Sequence, residues 1–150
     1  MKITDSIQLQ LIKEATSDKE SLCEVICSHQ PTGIYIRGKV FEQAIWVEAK
    51  RYLIFTTDDI VFEESLNLYF IELGKGILDR LWIAQPYNTD TFNGVTILDD
   101  TSLSFSFLYL RDWKLTIYRQ PRLRFSILSW LYFFQGFRLF RYLTLRFMPK

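Results

Sequence analysis

Ser102-Leu103-Ser104-Phe105-Ser106-Phe107-Leu108 alternates small polar with large apolar side chains at every step. Successive side chains of a pleated strand point to opposite faces, so Leu103, Phe105 and Phe107 share a side that needs burial while Ser102, Ser104 and Ser106 share the other. The same two-residue period recurs around it. Trp113, Leu115 and Ile117 oppose Lys114, Thr116 and Tyr118, and Arg111-Asp112 just before them suits a hairpin turn. Upstream, Ile45 and Val47 oppose Trp46 and Glu48 within Ala44–Ala49. Leu68 to Leu73 and Ile77 to Ala84 flank Gly74-Lys75-Gly76, whose glycines can take positive φ, and Asp99-Asp100-Thr101 separates Val95–Leu98 from the serine-alternating strand. From Gly33 to Tyr118 the chain therefore reads as an antiparallel meander, curved or partly closed into a barrel.

The flanks read differently. Ile7, Leu11, Ile12 and Ala15 recur at helical spacing, as do Leu22, Cys23, Val25, Ile26 and Cys27, with Thr16-Ser17-Asp18 offering caps between them. Residues 1–30 are accordingly expected as two short helices, ended by Pro31 and Gly33. Asp58 to Leu66 is ambiguous, because Ile60, Phe62 and Glu64 alternate as well as they spiral; strand is the reading adopted. Gln85-Pro86-Tyr87-Asn88-Thr89-Asp90 is polar and turn-rich, an exposed loop. At the far end, Phe125 to Phe137 is a run of 13 residues without a charge, bounded by Arg124 and Arg138. It falls short of the roughly twenty apolar residues of a spanning helix, so residues 123–147 are expected as a basic aromatic helix on the sheet, although Tyr142–Phe147 suits a last strand equally. The expected fold class is α+β, in a single domain over residues 1–150.

A chain of 150 residues can bury a sizeable core without disulfides or metal, and 17% aromatic residues suit strand faces and that core. The net charge of +1 hides a division. Up to Leu110 there are 9 Lys+Arg against 16 Asp+Glu, or −7, and from Arg111 onward 9 against 1, or +8. Either the basic tail folds back on the acidic body or it meets an anionic partner; its arginines are interleaved with large apolar groups that need burial, which favours the first. The start Met1-Lys2-Ile3-Thr4-Asp5-Ser6 has no apolar secretory core, and Cys23 and Cys27 need not be bridged, so a cytoplasmic address with reduced thiols is expected.

No catalytic constellation assembles. His29 is the only histidine, which removes Ser-His-Asp, Cys-His and two-histidine metal arrangements. Cys23, Cys27 and His29 within one short segment lack the second ligand pair of a structural zinc site, so no metal and no cofactor are expected. Gly74-Lys75-Gly76 lacks the helix-opening phosphate cradle and reads as a turn. The acidic pairs Asp58-Asp59, Glu63-Glu64 and Asp99-Asp100 could serve as acid and base in principle, but in turns they are better explained as solvated charge. Arg119, Arg122 and Arg124, beside Tyr118 and Phe125, could contact phosphates and bases, but a basic linker packing on the acidic body is the favoured account.

A small, reduced, strand-rich chain with an acidic body and no assembled active site resembles the immunity proteins that bacteria make against polymorphic or contact-dependent toxins. That resemblance lies in overall character, not in a shared motif. It implies a non-enzymatic protein that binds one cognate toxin domain, for instance a nuclease with a basic cleft, and covers its active site. Asp58, Asp59, Glu63, Glu64, Asp99 and Asp100 are the charges such a surface would use, with Trp82 and Tyr87 as aromatic anchors. Two other readings compete: a barrel around a small apolar ligand, and docking of the basic C-terminal segment on anionic lipid or RNA.

Overall fold

The computed structural model describes residues 1–16, 19–60, 64–84, 91–107, 112–123 and 140–148. Among them there are only strands. β1 (Lys2–Ile3), β5 (Val40–Glu48), β6 (Arg51–Thr57), β7 (Ser65–Glu72) and β8 (Gly76–Ala84) form a five-stranded sheet in the order β1-β5-β6-β7-β8. β2 (Ile7–Lys13), β3 (Leu22–Cys27) and β4 (Gln30–Arg37) form a second sheet. β9 (Val95–Ile97), β10 (Ser102–Ser106), β11 (Asp112–Leu123) and β12 (Phe140–Phe147) form a third, in the order β12-β11-β10-β9. Every paired neighbour is antiparallel.

The five-stranded sheet is the middle layer of three, and its strands show why. In β6 and β7, Leu53, Phe55, Leu66, Leu68 and Phe70 pack against Leu103, Phe105, Trp113, Leu115, Ile117 and Leu143 of the third sheet. The intervening residues Ile54, Tyr69 and Ile71 pack the opposite way, against Ile7, Val25, Ile34 and Ile36 of the second sheet. A strand covered on both faces has no wet side to mark with polar residues, which is why Leu66 to Ile71 is nearly continuously apolar while β10 and β11 alternate. Fully burying each such Leu, Ile or Phe contributes roughly 1.5–3 kcal/mol, so this double-sided sheet is the main source of stability.

The outer sheets are fixed to the middle one by polar contacts. Asp79 of β8 and Arg141 of β12 are both buried and pair at 3.2 Å. The Asp79 carboxylate also accepts the backbone N–H groups of Arg80 at 2.8 Å, Tyr142 at 2.9 Å and Leu143 at 3.0 Å, and Arg141 donates to the Arg80 carbonyl at 2.8 Å. Both oxygens of this desolvated acid accept hydrogen bonds, the condition under which a buried ion pair is tolerated. Arg119 likewise returns to the body, 3.3 Å from Glu48, so these two arginines of the basic tail do fold back on the acidic part. On the other side, Gly38 follows β4 at φ +113 with its α-carbon against the Thr56 side chain, leaving no room for a β-carbon.

Several expectations require correction. Among the described residues the fold is all-β, not α+β, and no sheet closes into a barrel. The described residues of 1–30 are not helical: β1, β2 and β3 run through that span, and Ile7, Leu9 and Leu11 alternate with Gln8 and Gln10. A four-residue spacing is shared by a helix turn and by an even step along a strand, so Ile7/Leu11 and Cys23/Cys27 fit both periods. The segment His29 to Gly33 does not end a helix. Ser28 and His29, at φ 48 and 67, form the two-residue turn of the β3–β4 hairpin, with Cys27 opposite Gln30. The meander also breaks, because β7–β8 and β9–β11 belong to different sheets. Of the described residues of the Asp58–Leu66 piece, only Ser65 and Leu66 are strand, and residues 61–63 lie outside the described ones. The expected C-terminal helix is replaced by strand over Phe140–Phe147, and residues 124–139 lie outside the described residues.

Candidate partner-binding face

The acidic residues singled out from the sequence divide into two groups. β6 is six rises of about 3.3 Å from Arg51 to Thr57, so the turn that follows Thr57 and the turn near Met1 and Glu48 stand roughly 20 Å apart, at opposite ends of the middle sheet. Asp58, Asp59 and Glu64 belong to the first; Asp99 and Asp100 belong to the second, where Asp100 lies 3.9 Å from the Met1 amino group. Glu63 and Tyr87 lie outside the described residues.

At the first end, Glu64 closes the turn by accepting three backbone N–H groups on one oxygen: Asp58 at 2.8 Å, Ser65 at 3.1 Å and Asp59 at 3.2 Å. This holds Asp59 at φ +58, a left-handed conformation that aspartate tolerates better than most residues. The Asp58 carboxylate turns inward over the start of β7. It accepts the Ser65 hydroxyl and, at 3.1 Å, the Asn67 side-chain amide. Asn67 in turn accepts Arg80 at 2.8 Å, and the Arg80 guanidinium lies 5.2 Å from the centre of the Tyr69 ring. Tyr69 accepts the Arg37 backbone N–H at 3.1 Å, and burial pushes its phenol up to about 12. Trp82 is the cross-strand neighbour of Asn67, so the half-buried indole stands on the same face as Asn67 and Arg80.

The electrostatics of this end are unbalanced. Burial is the main cause that raises the carboxyls of Asp58 and Glu64 above their ordinary range; hydrogen bonds from Ser65 and Asn67 and the Arg80 charge offset it in part at Asp58, and the backbone N–H groups offset it in part at Glu64. The Glu20 charge pushes Asp58 in the same direction as burial. Glu20 is engaged with Arg37 at 3.1 Å and Asp59 with Lys39 at 2.9 Å, but neither Asp58 nor Glu64 forms an ion pair among the described residues. The Arg80 Nε is buried without a hydrogen-bond partner.

The second end is self-satisfied. Asp99 accepts the Thr101 backbone N–H at 2.7 Å, the Thr101 hydroxyl at 2.8 Å and the Ser102 hydroxyl. These bonds stabilise its charged form and hold its carboxyl well below the usual range. Asp100 is almost fully exposed. Beside it a cleft of about 220 Å³ opens between the middle and third sheets, lined by Trp46, Glu48, Phe70, Ile117 and Arg119 among others. It is smaller than the usual range for small-molecule sites, about 300–1,000 Å³.

The sequence reading included Asp58, Glu64 and Trp82 and missed Ser65, Asn67 and Arg80, which complete their surroundings. The signal for Asn67 was present: it is the one amide within the apolar run Leu66–Ile71. Cys23 and Cys27, four residues apart on β3, are roughly 13 Å apart along a strand, beyond disulfide reach, and both are free. Burial raises the Cys23 thiol, which donates to the Gly38 carbonyl at 3.2 Å. Among the described residues no helix is long and apolar enough to cross a membrane. No family model, no curated protein and no solved structure matches this chain.

Proposed function

We propose that this chain is an immunity-type binding protein that neutralises a cognate toxin domain by docking the Asp58–Glu64 end of its middle sheet onto a basic surface of the toxin. The reading rests on one observation: two half-buried carboxylates stand beside a half-buried tryptophan and form no ion pair among the described residues, the nearest cation acting on Asp58 being Arg80, which is bonded to Asn67. Part of the cost of desolvating them is already met in the free protein. A lysine or arginine delivered by a partner recovers Coulomb energy without meeting that part again, and Trp82 provides the adjoining apolar contact. Acidic charge around the pair speeds encounter with a cationic cleft. The action is steric occlusion, with no catalysis.

A cation beside Asp58 favours its charged form, so binding releases a proton and tightens as pH rises through the raised carboxyl range. The test is growth rescue. Bacteria producing, without its export signal, the toxin domain encoded beside this chain should survive when the chain is co-produced, and calorimetry of the purified pair should give a Kd well below about 1 μM. Asp58→Lys should abolish rescue while Asp100→Lys should not. Absence of both rescue and complex, with the chain folded, overturns the reading.

A further inference from the structure

We propose that the outer edge of β2 is a self-association site, where a second copy of this chain adds its own β2 antiparallel about a two-fold axis. The Ser28 N–H donates to the Ser6 carbonyl at 2.7 Å, which fixes the phase of the β2–β3 ladder. In an antiparallel pair, opposed residues that exchange hydrogen bonds alternate with opposed residues that do not. Gln8 and Gln10 therefore bond to Ile26 and Glu24 of β3, whereas the N–H and C=O groups of Leu9 and Leu11 point away from it. β2 is the last strand of its sheet, and among the described residues no hydrogen bond takes up those outward groups. Two other edge strands are tied back to the fold. On β4 the Arg37 N–H goes to the Tyr69 hydroxyl and the Arg37 carbonyl accepts from Thr56, and on β8 the Arg80 carbonyl accepts from Arg141.

An unpaired edge is a template for another strand, and the chemistry of β2 selects its own copy. Leu11 and Ile12 are 43% and 50% exposed, and no residue from Ser6 to Ile12 carries a charge, a composition that favours strand addition. Ile7 is buried, so the accessible edge begins at Gln8. A two-fold axis at Gln10 sets Leu9 of each copy opposite Leu11 of the other, so outward donors meet outward acceptors and the apolar face continues across the seam. Gln10 then faces Gln10 in a pair that exchanges no backbone bonds, where side chains lie closest and the two amides can bond each other. Lys13, the one charge of the strand, comes to lie at opposite ends of the pair, diagonal to Asp5 of the other copy. Neither Asp5 nor Lys13 has an ion pair among the described residues, and the charge of Glu14 acts on Lys39 of its own chain. A parallel pairing would set Lys13 against Lys13. The site uses no residue of the Asp58 end, so this inference stands or falls independently of the function proposed above.

The experiment is sedimentation velocity of the full chain from about 1 to about 300 μM, where a ladder smaller than a standard interface should give a reversible monomer–dimer equilibrium in the micromolar range. Leu11→Pro removes an outward N–H without taking a bond from the β2–β3 ladder. It should weaken the dimer about tenfold or more, because the lost donor occurs twice in the symmetric pair. Ile12→Lys should weaken it to a similar extent, with an unchanged thermal midpoint in dilute solution because that side chain is half exposed in the folded protein. Gln10→Cys should cross-link two copies on mild oxidation, since the α-carbons of such a pair stand about 4.5 Å apart, within disulfide geometry, and Gln8→Cys, set opposite Ile12, should not. A folded chain that stays monomeric at the highest concentration overturns the inference, as does a dimer that neither Leu11→Pro nor Ile12→Lys weakens. A dimer in which Gln8→Cys cross-links in preference to Gln10→Cys also overturns it.

Discussion

The turn from Asp58 to Ser65 and the turn from Asp99 to Ser102 read alike in the sequence: adjacent aspartates, a hydroxyl residue a few positions on, a strand to follow. The fold uses them in opposite ways. Around Asp99 the hydroxyls of Thr101 and Ser102 and a backbone N–H all point at the carboxylate, and the group is spent on holding the β9–β10 turn. Around Asp58 the hydrogen bonds from Ser65 and Asn67 do not outweigh the loss of water, and the carboxyl rises where that of Asp99 falls. An acid consumed by its own turn is structural. One left half-buried without an ion pair among the described residues is the acid that the function proposed above assigns to a partner's cation.

Asp79 is the limiting case of the consumed acid, and changing it should have the largest effect. Asp79→Ala leaves Arg141 buried and unpaired and should cost about 3–5 kcal/mol in denaturant unfolding. Next in size, Asp58→Ala should weaken binding to the toxin domain proposed above as partner by about 2 kcal/mol, roughly thirtyfold, in calorimetry, whereas Asp99→Ala should leave that affinity nearly unchanged. Equal losses from the two would erase the distinction between the turns.

The pH dependence of stability sharpens it further. The raised folded pKa of Asp58 means that its contribution is present below the ordinary carboxylate range and lost as pH rises through the folded value. The lowered pKa of Asp99 means that its contribution is present above the ordinary range and lost as pH falls toward the folded value. In thermal melts across acid pH, Asp58→Asn should therefore remove a loss seen on going up in pH, and Asp99→Asn one seen on going down. Smallest of all, Asp100→Asn should leave the melting midpoint and the toxin affinity unchanged, because that side chain is 97% exposed.

Legibility followed local periodicity. β10 and the inner half of β11 were evident because each has one face in the core and one outside, so Leu103, Phe105, Trp113, Leu115 and Ile117 alternate cleanly. β2 and β3 were misread as helix because apolar side chains four apart suit both periods, and only the pairing of Ile7 with Cys27 and of Leu9 with Val25 separates them. At the candidate site, Asp58, Glu64 and Trp82 were legible as charge and aromatic in the right region. Arg80 was not, because its partner Asn67 lies 13 residues earlier and the two meet only across the β7–β8 ladder.

What the sequence by itself determined is the β character from Gly33 to Tyr118 and the segregation of acid from base, since both follow from side chains read in order along one chain. Only the tertiary structure decided that there are three layers, that β6 and β7 are covered on both faces, and that the two acidic turns differ. Burial of a carboxylate and the identity of its donors depend on residues distant in sequence, and a strand's own alternation says which side chains need cover without saying what covers them.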